Sequence, residues 1–247
     1  MKILLLNPNT SQSVTDRIAA AASGVAGPHT ELVAATAQRG VPYIATRAEA
    51  AIGGAVALEM LAELHGGVDA AIIAAFGDPG LGGARELFPI PVIGLAEAGM
   101  LTACMLGKRF AIVTFSQSLE PWYEECVAWH GLQSRCAGVR ALGGGFRSIS
   151  DVQNEKEALL VELANQAVTE DRADVVVLAG APLAGLARRV RDRIPVPVID
   201  CVEAAVKQAE TLAALNPRKA EKGTFARPAA KPCIGIAEPL ARWINHE

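Results

Sequence analysis

The sequence predicts an α/β protein of two pseudo-symmetric lobes, each built on a parallel sheet, with a cleft between them. Three observations carry this reading. Eight short apolar runs are spaced along the chain, helical patterns lie between them, and stretches of the first half return in the second at offsets of 105 to 107 residues. Short apolar runs bounded by Gly, Pro, Asn or Asp fit strands covered on both faces, the condition of a parallel sheet. Their alternation with helices gives the α/β class.

The first run, Lys2–Leu6, ends before Asn7-Pro8 and is too short for the apolar core of a signal peptide, so it reads as a strand. Asn9, Thr10 and Ser11 then offer caps for a helix over Ser13–Ala22. A strand at Glu31–Ala35 leads to a helix over Ala48–Leu64, and strands at Ala70–Ala75 and Pro91–Ile93 lead to a helix over Ala96–Leu106. The second half follows the same grammar. Strands are expected at Phe110–Val113, Gly138–Leu142, Val175–Leu178 and Pro197–Ile199, and helices over Leu119–Trp129, Asp151–Val168 and Val202–Leu215. Asn216–Lys231, rich in Pro, Lys and Gly, reads as a surface connection, and Ile234–Ile244 as a short closing helix with Trp243 inward.

The repetition is visible in three places. Pro89–Ala98 matches Pro195–Ala204, Asp69–Ala75 matches Asp174–Gly180, and Lys2–Asn7 lies over Arg109–Thr114. A shared offset points to two similar lobes, expected as residues 1–95 with 206–247 and residues 96–205. Equivalent loops then leave equivalent strand ends, where open parallel sheets bind ligands. The alternative is that the recurring Pro-Val-Ile pattern is common α/β grammar.

Composition narrows the function. The chain has 247 residues, 51% of them hydrophobic, enough for a substantial core. Mean hydropathy is +0.27, yet no apolar run approaches the roughly 18 residues of a membrane span. Five scattered cysteines without CxxC spacing suggest neither a disulfide framework nor a zinc site, so a reducing cytoplasm is expected. A net charge of -3 with dispersed Lys and Arg argues against nucleic acid. His29, His65, His130 and His246 form no metal-spaced cluster and read as surface or helix-end residues.

The loops after the strands hold the candidate ligand contacts. In Asn7–Ser11, backbone N–H groups with Asn9 and Thr10 can hold a carboxylate or carbonyl oxygen, the alternative being plain capping. Thr114–Ser118 is the equivalent loop, with Thr114 and Ser116 in the corresponding places. The loop Phe76–Gly83 has neither GxGxxG in the first strand-to-helix turn nor GxxxxGK[ST], which leaves nicotinamide and ATP chemistry unsupported. Asp78, before Pro-Gly, reads as a turn or capping residue.

At these loops the sequence resembles the Asp/Glu/hydantoin racemase superfamily, in its hydantoin and allantoin racemase branch. The matching residues are Ile3–Thr10, Asp78–Leu81 with Ala84–Glu86, Pro91–Gly94 with Glu97-Ala98, Arg109-Phe110 with Val113-Thr114, and Val196–Asp200. The resemblance implies two flavodoxin-like lobes and catalysis without a cofactor or metal. It also implies two cysteines, one per lobe, that remove and return a proton on opposite faces of a carbon acid. The chain departs from this pattern at both positions, with Ala75 before Phe76 and Gly180 after Ala179. Arylmalonate decarboxylases, a related architecture with one such cysteine, show that the cleft supports other carbanion chemistry.

What remains is a cradle of backbone N–H groups at Phe76, Gly77, Ala181 and Leu183 beside Gly180, Thr114 and Ser116. Cys201, at the end of a strand and the start of a helix, is the candidate acid or base; the alternative is a small buried cysteine. Tyr43 and Arg47 stand as rim residues, Arg47 suited to a substrate carboxylate. The expected activity is cofactor-independent isomerase, lyase or decarboxylase chemistry on a small carboxylate or cyclic amide through an enolate-like intermediate. A hydantoin-type racemase using other bases and a non-catalytic binder are the alternatives. A homo-oligomer is expected. A chain lacking both thiols is not expected to racemise hydantoins or allantoin, and Ala75→Cys with Gly180→Cys is expected to create weak activity.

Overall fold

Eight strands and nine α-helices alternate along the chain, which the computed structural model describes over residues 1–247. The first sheet contains β1 (Lys2–Asn7), β2 (Glu31–Thr36), β3 (Ala70–Ile73) and β4 (Val92–Gly94), in the order β2-β1-β3-β4. The second contains β5 (Phe110–Thr114), β6 (Cys136–Ala141), β7 (Val175–Leu178) and β8 (Val198–Asp200), in the order β6-β5-β7-β8. All six pairings are parallel. The three matched stretches therefore fall on corresponding strands of two sheets with one topology. In each sheet a central strand is paired on both sides: Leu5 faces Ala34 and Ile72, and Ile112 faces Val139 and Val177. Such strands have no solvent face, which is why they read as unbroken apolar runs.

The helices are α1 (Gln12–Ser23), α2 (Arg47–Leu64), α3 (Leu81–Leu87), α4 (Leu95–Leu106), α5 (Glu120–Trp129), α6 (Val152–Thr169), α7 (Leu186–Val190), α8 (Cys201–Leu215) and α9 (Glu238–Asn245). Six of them lie within a residue of the ranges read from periodicity. The short α3 and α7 leave no periodic signature in the sequence, since neither is long enough to develop one. The closing helix starts later than expected, at Glu238. Gly235 has φ +76°, outside the helical region, while Pro239 suits the first turn. Trp243 does turn inward: its Nε1 donates to the Leu87 carbonyl at 3.0 Å and its ring stacks on Phe88.

The two long connections cross between sheets. α4 leaves β4 but packs against β7 and β8, while α8 leaves β8 but packs against β3, β4 and α1. The two helices also pack on one another. Each sheet is thus covered by the helix that starts from the other, and a core of 54 buried residues runs without a break through both lobes. A second cluster, of 13 residues including Leu240, fills the other face of the first sheet.

The starts of the crossing helices are capped by buried carboxylates in two different ways. Asp78, from the loop after β3, accepts from the Ala96 and Glu97 amides at 2.7 and 2.8 Å. It fills the space where a side chain at Gly94 would lie. In the second lobe Asp200 caps α8 itself, accepting from Val202 and Glu203, and also takes the Gly185 amide at 2.5 Å. Burial pushes the Asp200 carboxyl up to about 6 despite these donors. The folded chain therefore keeps a proton that the unfolded chain releases near pH ~4, so this group's contribution to stability falls as pH rises from about 4 to about 6. Asp200→Asn should flatten that fall while adding a pH-independent loss at the Gly185 contact. Urea unfolding of both proteins across this window measures the difference.

Candidate functional site

Residues just beyond the carboxyl ends of β1, β3, β5 and β7 converge on one cavity between the sheets. Its walls are Asn9, Tyr43, Ile44, Ala75, Phe76, Phe115, Trp122, Tyr123, Gly180, Ala181 and Pro182. The volume is about 20 Å³, room for little more than a water. Trp122 separates it from an outer groove of about 400 Å³, lined by residues 77–83 and by α5. Trp122 lies flat on Gly77, so a side chain at position 77 would overlap its indole ring. A larger hollow, of about 990 Å³, runs along α4 and α8 and includes none of the cavity residues.

Five of the eleven wall residues are aromatic. Phe76 stacks near Tyr123 with ring centres 4.5 Å apart, and Tyr43 sits 6.4 Å from Phe115 and 5.9 Å from Phe146. Asn9 is buried; its Oδ1 accepts from the Asn7 side chain and the Ser11 amide. Thr114 is fully buried and donates to the Ala179 carbonyl at 3.0 Å, tying the ends of β5 and β7 together. Burial holds the Tyr123 phenol far above its ordinary range. Its oxygen comes within 3.4 Å of where a Cβ at Gly180 would stand.

The structure thus brings together Asn9, Tyr43, Phe76, Gly180 and Ala181, and supports them with Thr114. Other expected residues stand elsewhere. Ser116 is half-buried, its Oγ 2.9 Å from that of Ser118, because the extended backbone turns Phe115 inward and its successor away. The Thr10 amide donates to Val41 and its side chain lies outside the cavity. Arg47 is exposed at the rim and ion-paired with Glu125 at 2.6 Å, which occupies the guanidinium expected to meet a carboxylate. The Leu183 amide donates to the Gly180 carbonyl, so one of the four cradle donors is already engaged.

Cys201 requires the plainest correction. It does not reach the cavity: it is 3% exposed, donates to the Leu178 carbonyl at 3.4 Å, and is packed against Gly99 of α4. Burial and the nearby Asp200 and Asp78 hold the thiol well above its usual range, the opposite of an activated nucleophile. His130 is a helix end, as expected, since it closes α5, but its side chain is buried. Its Nε2 lies 2.9 Å from Asp78 and its Nδ1 3.6 Å from Glu97, which Arg85 grips with two hydrogen bonds. Tyr123 is the residue that helical periodicity hid. The chain has two tyrosines, and both line this cavity.

This arrangement at paired strand ends is accompanied by a match over most of the chain. The sequence model of the family described as Asp/Glu/Hydantoin racemase matches residues 3–209. The chain belongs to the Asp/Glu/hydantoin racemase family. It is 34% identical over 246 residues to the hydantoin racemase of Pseudomonas sp. (strain NS671), covering 98% of each chain. The allantoin racemase from Klebsiella pneumoniae aligns with a TM-score of 0.90 and 37% identity, over 95% of this chain and 96% of that one. Unliganded arylmalonate decarboxylase shares the fold at a TM-score of 0.59 and 19% identity, over 86% of this chain and 92% of that one.

Within this racemase family member, positions 75 and 180 differ in what they accept. Ala75 is 7% exposed at the cavity wall. Gly180 has φ +111°, a conformation costly for any other residue, and a Cβ there would come within 2.8 Å of Phe115. Ala75→Cys should fold with stability within about 1 kcal/mol of the parent. Gly180→Cys should cost about 1–3 kcal/mol or more, from backbone strain and displacement of Phe115. Denaturant midpoints of the two single variants check this, and equal midpoints would contradict it.

Proposed function

We propose that this family member is a cofactor-independent enzyme of isomerase type. It acts at the interlobe cavity on a small cyclic amide or carboxylate, through an enolate-like intermediate. One observation carries the reading: of the residues around the cavity, only Tyr43 and Tyr123 bear an ionisable proton. The Tyr123 phenol therefore stands beside position 180, one of the two at which the resemblance implied a thiol, and Tyr43 lines the same cavity. Tyr123, buried and protonated, is the donor to the carbanionic carbon. The amides of Phe76 and Ala181 line the same space and suit the oxygen on which negative charge develops. Swinging Trp122 aside joins the cavity to the outer groove and makes room for a five-membered ring.

A second reading, racemisation of a hydantoin or allantoin by phenols, is favoured by the origin of the two tyrosines. Tyr43 follows β2 of the first sheet, and Tyr123 lies on α5 beside the second. The relatives named as hydantoin and allantoin racemases support the same substrate class.

Incubation in deuterium oxide with 5-substituted hydantoins, allantoin and small 2-substituted carboxylates tests both. Deuterium entering the α-position with optical purity retained supports one-sided transfer, and deuterium with loss of optical purity supports racemisation. Tyr123→Phe should lower the exchange rate about 10²-fold or more. Exchange undiminished in Tyr123→Phe removes that residue's role, while no exchange with any probe in the parent protein overturns the enzymatic reading.

A further inference from the structure

A second constellation on α5 plays no part in proton transfer in the cavity. Cys126 and His130 are four residues apart, hence one turn apart on a single face of the helix and its end. Asp78 meets them from the loop after β3. The carboxylate oxygen, the Cys126 sulfur and a ring nitrogen of His130 all lie within 4.8 Å of one another. The side chains of Asp78 and His130 are 1% and 4% exposed.

The geometry points to a metal-binding site in which Asp78, Cys126 and His130 hold a divalent transition-metal ion, zinc being the best match to the donors. One thiolate, one imidazole and one carboxylate are the ligand types zinc takes in a tetrahedral shell. Hard cations such as calcium or magnesium prefer all-oxygen sites, so the sulfur argues against them.

The surroundings are those of a ligand set held in place. His130 presents Nε2 to Asp78 while Nδ1 faces Glu97 at 3.6 Å. Glu97 stands in ion-pair range of the second ring nitrogen, and a small approach would give the carboxylate support usual for a metal-bound histidine. Glu97 is itself gripped by Arg85, so the support does not rotate away. Asp78 is anchored by the amides of Ala96 and Glu97, and a carboxylate retains a lone pair beyond these bonds. It also holds φ +50°, an uncommon conformation for a residue other than glycine.

Access is present too. Asp78 and Cys126 both line the outer groove of about 400 Å³, the route by which an ion would reach the site. In a tetrahedral zinc shell the ligand atoms stand roughly 3.3–3.7 Å apart. The 2.9 Å contact between His130 and Asp78 therefore widens, and the sulfur closes in by a rotation of the Cys126 side chain. Binding exchanges the sulfur–hydrogen bond for a sulfur–metal bond and releases the proton to buffer, with no change of oxidation state.

Cobalt(II), as a coloured substitute, tests the site on the full chain. The expected result is saturation at one equivalent, with thiolate-to-cobalt charge transfer and the intense visible absorption of tetrahedral coordination. Zinc should displace it. Cys126→Ser should abolish the charge-transfer band, His130→Gln should weaken zinc binding by about tenfold or more, and Cys233→Ser should leave both unchanged. Absorption that survives Cys126→Ser, or none that saturates at one equivalent, overturns the proposal. A measurement without variants stands beside it. Zinc at a hundredfold excess over Kd should raise the melting temperature by about 5 °C or more, and an unmoved transition overturns the proposal as well.

Discussion

Everything in this molecule rests on the crossing of α4 and α8. Each helix covers the sheet opposite the one it leaves, so the two lobes share one core instead of meeting across a polar seam. The crossing is close. The Cys201 sulfur would stand 2.7 Å from a Cβ at Gly99, so α4 presents bare backbone where α8 presents a thiol. Removing both sulfur and backbone from water leaves this contact dry, and it fixes the distance between the sheets. The interlobe cavity is the gap left beyond the strand ends once that distance is set.

The carboxylates at the helix starts convert this packing into alignment. A helix N-terminus offers unpaired N–H groups, and burying them without acceptors is costly. Asp78 and Asp200 supply the acceptors, and each also ties its helix to a neighbouring loop. In the first lobe that loop carries Phe76 and Gly77, and in the second it carries Gly185, just past Gly180 and Ala181. The residues that line the cavity are thus positioned by the same bonds that begin the crossing helices.

Much of the fold was legible in the sequence because strands buried on both faces write themselves as apolar runs, and six helices are long enough to show a period. The strand-end location of the cavity followed from that, as did the convergence of Asn9, Phe76 and Gly180. What escaped depends on contacts between distant segments. Cys201 reads as reactive at a helix start, and only the position of Gly99 on another helix shows that it is enclosed. His130 is the helix end it reads as, but its burial between Asp78 and Glu97 is not written in its own segment. Tyr123 sits in a helical pattern that classes it as core, which it is, although its hydroxyl end meets the cavity.

The exchange of helices also dictates how the chain comes together during synthesis. The first sheet is complete once β4 has emerged, and α1 already covers β1 and β2 on one face, yet β3 and β4 stay bare on that face until residues 201–215 arrive more than a hundred residues later. The first lobe cannot close as an independent early unit, so its apolar strands wait exposed while the second lobe is made. Contacts of such high sequence separation slow folding and lengthen the interval in which the nascent chain can associate wrongly. The same geometry forbids cutting the protein at the apparent boundary between lobes, because each half would carry away the cover belonging to the other.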